Sequence, residues 1–259
     1  MKYRVCVLFA GLALAVPGLA CADDGWSGNA AVTSSYISRG FDQSWHDPAL
    51  QGGIDYNRNG WFASTWASTV SNYFIEDATV EWDTSAGYAG EHAGLRYRAG
   101  LYYYMYPGAK MSATGTRYNY GEVIVGAGMG PVDVSWAATY TPDYFGDNST
   151  TLGIGHDRNS RGSGYLSVDG NFPLGKQFTL GLHYGHQSVR HFSTYNWTDA
   201  KVSLGTSLHG FDFTLAWTRG WNAHGVYDGY TTGVPDGSGR VHVSDPIASR
   251  VTLTVAHSF

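Results

Sequence analysis

His186 and Ser188 stand two positions apart in the second half of the chain. An imidazole beside a hydroxyl nucleophile is the minimum arrangement for acyl transfer. Val189 and Arg190 follow the serine, and no third group that would orient the histidine is evident. We therefore predict that the protein is not an enzyme, and we keep hydrolysis by His186 and Ser188 as an alternative.

Histidines with neighbouring aspartates also recur in segments that we predict to be loops. No pair of them has the spacing of a metal site, such as two histidines separated by three residues. We therefore predict no metal and no cofactor, and we leave open whether these loops bind a metal or a partner. The residues concerned are His46, Asp47, His156, Asp157, His191, His224, Asp228 and His242.

The elements that must position such side chains are strands, because apolar residues recur at every second position. In the last segment, residues 247–259, an apolar row alternates with a polar row up to the terminal Phe259. Alternation places each row on its own face of a strand. An apolar face set against a polar face suits a barrel that has lipid outside and water inside.

The connections between the predicted strands alternate between short, turn-rich links and longer ones. Short periplasmic turns and longer outer loops are typical of transmembrane barrels. We predict an all-β fold, a transmembrane antiparallel β-barrel of about twelve strands with both termini in the periplasm, and ten to fourteen strands are possible. The strands are predicted near residues 29–39, 49–57, 60–70, 78–89, 94–106, 117–128, 132–141, 164–172, 177–188, 198–208, 211–221 and 246–259.

The inner rows of this barrel carry eight acids and five bases, so a weak cation preference is expected. On neighbouring strands, Glu81 and Asp83 could pair with Arg96 and Arg98. An inward row of tyrosines could stack on a sugar or nucleoside, or could simply narrow the lumen. The predicted pore-lining residues are Arg39, Asp55, Glu81, Asp83, Arg96, Arg98, Tyr102, Tyr104, Glu122, Asp133, Asp169, Asp199, Lys201, Asp212 and Arg250.

Residues 1–22 have the pattern of a secretory signal peptide. Two basic residues precede an apolar core, and Ala20, Cys21 and Ala22 form a small-residue cleavage site. Cleavage after Ala22 would leave residues 23–259 as the barrel domain, without cysteine. A lipoprotein signal that uses Cys21 is the alternative.

Charge and composition exclude one class of partner and support the barrel. The formal net charge is −5, and loss of Lys2 and Arg4 with the signal would make it −7. Such a balance does not favour nucleic acid, whose binding needs a basic face. Aromatic residues make up 15% of the chain, which fits the aromatic girdles of a membrane barrel.

Two runs near the start of the predicted barrel resemble a known family. Residues 35–43 (SYISRGFDQ) and residues 47–56 (DPALQGGIDY) are similar to the start of TorF-type putative porins, also called the Gcw_chp family. The terminal Phe259 resembles the assembly signal of outer-membrane barrels. The resemblance implies a barrel in the outer membrane of a Gram-negative bacterium, surrounded by outer-membrane lipids and inserted by the barrel-assembly machinery.

We therefore expect a narrow porin-like channel for passive diffusion of small polar solutes or ions. One alternative is an outer-membrane lipid hydrolase, since His186 and Ser188 share the lipid-facing parity and resemble the His-x-Ser pair of outer-membrane phospholipase A. Another is a plugged barrel whose long outer loops, near residues 143–162 and 222–245, act in binding or adhesion. The transported solute and the oligomeric state do not follow from the sequence.

Overall fold

The computed structural model describes residues 24–259, so the predicted signal peptide and its cleavage site lie outside the described residues. Within this range no helix is long and apolar enough to cross a membrane. The elements are β1 (Gly25–Thr33), β2 (Ile37–Ser38), β3 (Phe41–Asp42), β4 (Ala49–Arg58), β5 (Trp61–Thr69), β6 (Val80–His92), β7 (Leu95–Met105), β8 (Tyr120–Met129), β9 (Val132–Thr139), the helix α1 (Ser149–Leu152), β10 (Gly164–Leu174), β11 (Phe178–Ser188), a 3₁₀ helix (Ser193–Tyr195), β12 (Trp197–Leu208), β13 (Phe211–Trp221) and β14 (Arg250–Ser258).

Twelve of the described strands, β1 and β4 to β14, form a closed antiparallel barrel. The first and last barrel strands close it, with Ala31 opposite Ala256. Gly28 and Phe259 extend this ladder through two backbone hydrogen bonds, of 2.7 and 2.9 Å. A closed ladder leaves no unpaired strand edge. The predicted all-β barrel and its count of twelve strands are confirmed.

The five connections at one end of the barrel are tight turns of two or three residues. At Asn59 and Gly60 both φ angles are positive, 51° and 83°. This pair of angles matches the type I′ turn that suits the twist of a β-hairpin, and asparagine and glycine tolerate it best. At the other end the links are long, at residues 34–48, 70–79, 106–119, 140–163, 189–196 and 222–249.

The outward rows of the barrel are apolar and the inward rows are polar. Leu50 and Leu101 are 64% and 57% exposed, whereas the adjacent inward Gln51 and Tyr102 are buried. At the short-turn end, Trp26 packs on Tyr56 with 4.9 Å between ring centroids and forms part of an aromatic border. A continuous exposed apolar band with aromatic residues at its border is the surface that a bilayer accepts.

The largest difference from the prediction lies in residues 34–48, which we call the inward segment. The prediction extended the first strand to Arg39, whereas β1 ends at Thr33 and the chain then turns into the barrel lumen. There β2 and β3 form a small hairpin whose tip is Arg39 and Gly40, with φ of 46° and 85°. The predicted strand boundary is wrong because β1 ends at Thr33, before the next glycine of the sequence, Gly40, marks a turn.

Candidate functional site: the barrel interior

The side chain of Arg39 links the inward segment to the opposite wall. Its Nη1 donates to Glu122 Oε1 at 3.0 Å and to Gln187 Oε1 at 3.1 Å, and its Nη2 donates to Glu122 Oε2. The side chains of Arg39 and Glu122 are 3% and 0% exposed. A bidentate pair of this kind is directional as well as strong. Since Glu122 is on β8 and Gln187 on β11, the guanidinium ties the segment to two strands.

Aromatic side chains hold the hairpin tip in place. Trp197 Nε1 donates to the backbone oxygen of Arg39 at 2.9 Å. The guanidinium of Arg39 lies over the ring of Tyr165, 4.4 Å from its centroid. Phe41 meets Trp197 edge to face with 4.9 Å between centroids. The inward segment is therefore fixed by hydrogen bonds, a cation–π contact and ring packing.

Gly40 allows the closest approach of the hairpin to the wall. A Cβ atom built at this position would lie 2.7 Å from Cβ of Asp199 and 3.6 Å from Cα of Gly220. Its φ of 85° is also a conformation that other residues rarely adopt. The tip therefore rests directly on β12 and β13, with no space for a side chain.

The expected pairing of Glu81 and Asp83 with Arg96 and Arg98 is wrong. Strands β6 and β7 join through a two-residue turn, and this register places Asp83 opposite Tyr104. Glu81 instead accepts a hydrogen bond from Tyr106 Oη at 3.0 Å. Residues at equal distances from the turn meet across a hairpin, so the acids and the arginines lie at different depths of the lumen.

The two arginines of β7 find other partners. Arg96 Nη2 donates to Asp133 Oδ1 at 2.8 Å across β8. Arg98 Nη2 donates to Tyr102 Oη, and the guanidinium lies 5.0 Å from the centroid of Phe62. The charges of β7 are therefore neutralised or packed locally instead of forming a uniform ring.

The predicted row of inward tyrosines is a packing row. Tyr102 and Tyr104 are 4% and 3% exposed. Tyr104 stacks on Tyr120 with 4.5 Å between centroids and 21° between planes. Because these faces are covered, they are not available for stacking on a passing solute in this conformation.

A second polar cluster joins β10, β11 and β12. His183 lies between two carboxylates, with Nδ1 2.7 Å from Asp169 Oδ1 and Nε2 2.9 Å from Asp199 Oδ2. Tyr165 donates to Asp199 Oδ1 at 2.9 Å, and Lys201 is opposite His183 in the strand register. The predicted pore-lining residues include the two acids and the lysine but neither His183 nor Tyr165, although both have inward parity.

The remaining predicted residues lie nearer the two rims. Asp55 and Asp212 accept hydrogen bonds from Ser64 and Ser207 toward the short-turn end. Arg250 lies near the long-loop end, where its Nε is 3.4 Å from Asp42 Oδ2 in the inward segment. Of the fifteen predicted residues, all but Arg39 are on barrel strands. Their role as pore lining stays a prediction.

His186 and Ser188 do not form a dyad in the described chain. Nδ1 of His186 is 2.9 Å from Oγ1 of Thr198 on the neighbouring strand, whereas Ser188 is opposite Gly164 on the other side. The residue between them, Gln187, points inward and accepts from Arg39. No group of three or more His, Cys, Asp or Glu side chains within residues 24–259 is arranged to hold a metal ion.

A cavity of about 290 Å³ lies at the long-loop end, between the inward segment and the long loops. We call it the vestibule cavity. Its lining includes Arg39 and Gln43 of the inward segment and Asp147 of the loop at residues 140–163, and most of the rest is aromatic. Burial, with the neighbouring Asp143 adding to it, raises the pKa of Asp147 to about 8. Sequence reasoning did not find this cavity, because its lining comes from segments that are distant along the chain.

The fold and interior define a closed twelve-stranded β-barrel with an apolar outside and a polar inside. The chain belongs to the family described as "Bacterial protein of unknown function (Gcw_chp)", whose model matches residues 20–259. No curated protein matches the sequence. The more specific name of a TorF-type porin stays a prediction.

The solved structures that match this chain include two porins and an outer-membrane channel, all with TM-scores below 0.5. The KdgM porin, solved in complex with disordered oligogalacturonate, is 10% identical, with 90% of this chain and 99% of that chain covered and a TM-score of 0.48. The NanC porin is 14% identical, with 91% and 99% covered and a TM-score of 0.46. The channel DcaP of Acinetobacter baumannii is 15% identical, with 91% and 72% covered and a TM-score of 0.37. None of these values indicates what this barrel transports.

Proposed function

We propose that the protein is a narrow outer-membrane channel through which small polar solutes diffuse passively. The observation that carries this proposal is the contrast between the two faces of the barrel wall. Exposed apolar side chains such as Leu50, Leu101 and Leu253 face outward, and polar or charged side chains face inward. This arrangement satisfies lipid on one side and water on the other.

The inward segment is the constriction of this channel. A barrel of twelve strands has a lumen that is wider than that of small barrels filled by side chains and narrower than that of wide porins. The Arg39–Glu122 pair crosses this lumen, whereas Asp55, Asp133 and Lys201 nearer the short turns are only half-buried. Movement of the segment would therefore widen the passage without breaking the barrel ladder.

The lengths of the connections support an orientation of the barrel in the membrane. Short turns face the periplasm and long loops face outward in outer-membrane barrels. Both termini would then lie in the periplasm of a Gram-negative bacterium, and the vestibule cavity would open toward the outside. The excess of inner acids over bases supports a weak preference for cations.

Single-channel recording tests the proposal directly. The chain without residues 1–22 would be refolded, checked for a closed barrel by its mobility on an unheated gel, and added to a planar bilayer under a salt gradient. We expect small discrete current steps and a reversal potential on the cation side. A folded barrel that stays silent would contradict the channel and would favour the plugged barrel. Steps with an anion-side potential would contradict only the selectivity.

Deletion of Phe259 should reduce the amount of protein in the outer membrane of cells severalfold, because the terminal aromatic is the predicted signal for the assembly machinery. The isolated barrel should be affected much less, since it loses the two backbone hydrogen bonds to Gly28, about 1–3 kcal/mol, and the packing of the exposed Phe259 ring near His257. Immunoblots of outer-membrane fractions measure the first effect, and refolding in detergent measures the second. Phe259→Tyr is the control that keeps an aromatic, and an unchanged membrane level after deletion would refute the assembly role.

A further inference from the structure

The walls of the vestibule cavity are formed mainly by aromatic rings from several separate segments. Phe41 of the inward segment meets Tyr227 of the last loop edge to face, with 4.8 Å between centroids. Tyr120 at the start of β8 meets Tyr144 in the same manner at 4.9 Å. Rings held by such mutual contacts form a preorganised wall. The negative faces of such rings attract organic cations.

The polar groups of the cavity favour a cation as well. The carboxyl of Asp147 lies among tyrosines from other loops, and the only basic residue of the lining is Arg39. Arg39 is already paired with Glu122 on the side of the barrel wall. Once Asp147 is ionised, the charge left for a ligand to compensate is therefore negative.

Gln43 supplies an independent sign of an unfilled site. It is 6% exposed and lines the cavity, and its buried Oε1 has no hydrogen-bond partner. A buried acceptor without a partner is destabilising, because it has lost its water and gained no hydrogen bond. An ammonium N–H or a polarised C–H beside a cationic nitrogen would satisfy this oxygen.

We propose that the vestibule cavity is a binding site for a small organic ammonium ion, with aromatic rings around its apolar groups and Asp147 as its counter-ion. An anion would face the carboxylate and the ring faces, which repel it. A neutral ligand of the same shape would gain ring contacts but would not compensate Asp147. The site does not depend on conduction, because binding can be measured on the folded barrel alone.

Because the ligand favours ionised Asp147, its affinity should depend on pH. With its pKa raised to about 8, this carboxyl is mostly neutral in the empty site at neutral pH, and a bound cation favours its ionised form. Affinity should therefore rise from about pH 6 to about pH 9 and then level off, with proton release on binding.

Other titratable and charged groups lie near Asp147. Asp143 faces it from the same loop, and Arg39 belongs to the inward segment. The tyrosines stay neutral in this pH range, because burial, with the acids adding to it, raises the pKa of Tyr118 to about 12 and raises the pKa of Tyr195, Tyr227, Tyr230 and Tyr144.

Calorimetric titration of the refolded barrel with choline chloride at about pH 9, where Asp147 is ionised, tests the proposal. We expect saturable binding, and we expect the neutral alcohol in which a carbon replaces the choline nitrogen to bind at least about tenfold more weakly. Asp147→Asn should weaken choline binding by about tenfold or more and abolish its pH dependence. Asp157→Asn, an exposed aspartate of the same loop with its side chain 86% exposed, is the matched control and should bind normally.

Three results would overturn the site. They are no heat of choline binding in a barrel that migrates as folded, equal affinity for the neutral alcohol, and unchanged affinity in a folded Asp147→Asn variant. If Asp147→Asn does not fold, Tyr227→Leu provides a second variant. It removes one aromatic ring from the wall of the vestibule cavity and keeps the carboxylate of Asp147. Normal choline affinity in that variant would also contradict the proposal.

Discussion

Replacement of Arg39 by methionine should raise the single-channel conductance of the barrel severalfold and lower its stability. The change removes both hydrogen bonds to Glu122 and leaves that carboxylate buried without its counter-ion. Breaking one partner out of a buried pair costs about 3–5 kcal/mol. The barrel ladder does not depend on this contact, so we expect the inward segment to leave its place before the barrel unfolds.

A second substitution, at Glu122, distinguishes release of the inward segment from a general loss of structure. In the double variant Arg39→Met, Glu122→Gln no buried charge is left, and both the resistance to denaturant and the low conductance should recover in part. Arg161→Met, at an exposed position in the loop at residues 140–163, is the matched control and should behave as the native barrel. Native conductance in a folded Arg39→Met barrel would show that the inward segment is not the constriction.

Gly40→Val should detach the hairpin tip from the barrel wall without removing the Arg39 side chain. Valine disfavours the φ of 85° found there, and its Cβ would lie 2.7 Å from that of Asp199. We expect the neighbouring Ser38, which is buried, to become accessible to solvent. Maleimide labelling of a Ser38→Cys barrel should become severalfold faster when Gly40→Val is added.

A control variant at Gly233 separates the effect of the clash with Asp199 from the effect of backbone strain. Gly233 has a similar φ of 78°, but no atom lies within 4 Å of a Cβ placed on it. Gly233→Val therefore imposes comparable strain in the last loop without touching the wall, and labelling at Ser38→Cys should stay slow. If Gly40→Val also labels slowly in a folded barrel, the tip does not depend on close approach to β12.

Most of the barrel was predictable because its determinants are local. Alternation set the inner and outer rows, and turn residues such as Asn59 and Gly60 marked the strand ends within a few positions. The inward segment was missed for a physical reason. No glycine or proline in residues 34–39 marks the end of β1, whereas the position of the turn at Arg39 depends on partners that lie 83 and 148 positions away along the chain.

The sequence was sufficient to predict which residues face the lumen, but not which of them pair with one another. Parity alone selected Glu81, Asp83, Arg96 and Arg98, and each is on the strand where it was expected. Their partners depend on depth in the lumen, which follows from the register at each turn. The vestibule cavity depends on how separate loops pack together, and no periodic signal in the sequence reports that packing.

The inward segment is joined at both ends to adjacent barrel strands, since it leaves β1 and enters β4, and these two strands pair along their whole common length. In the proposed channel it would therefore block the lumen while attached at both ends, and it could not diffuse away after release. The return of the hairpin tip to its place on the barrel wall is a unimolecular reaction. Its rate is governed by the high local concentration of the tip near that wall. Dwell times in the open state would therefore be the same for one barrel as for a densely packed membrane, and any ligand that holds the blocker aside must compete with an intramolecular partner.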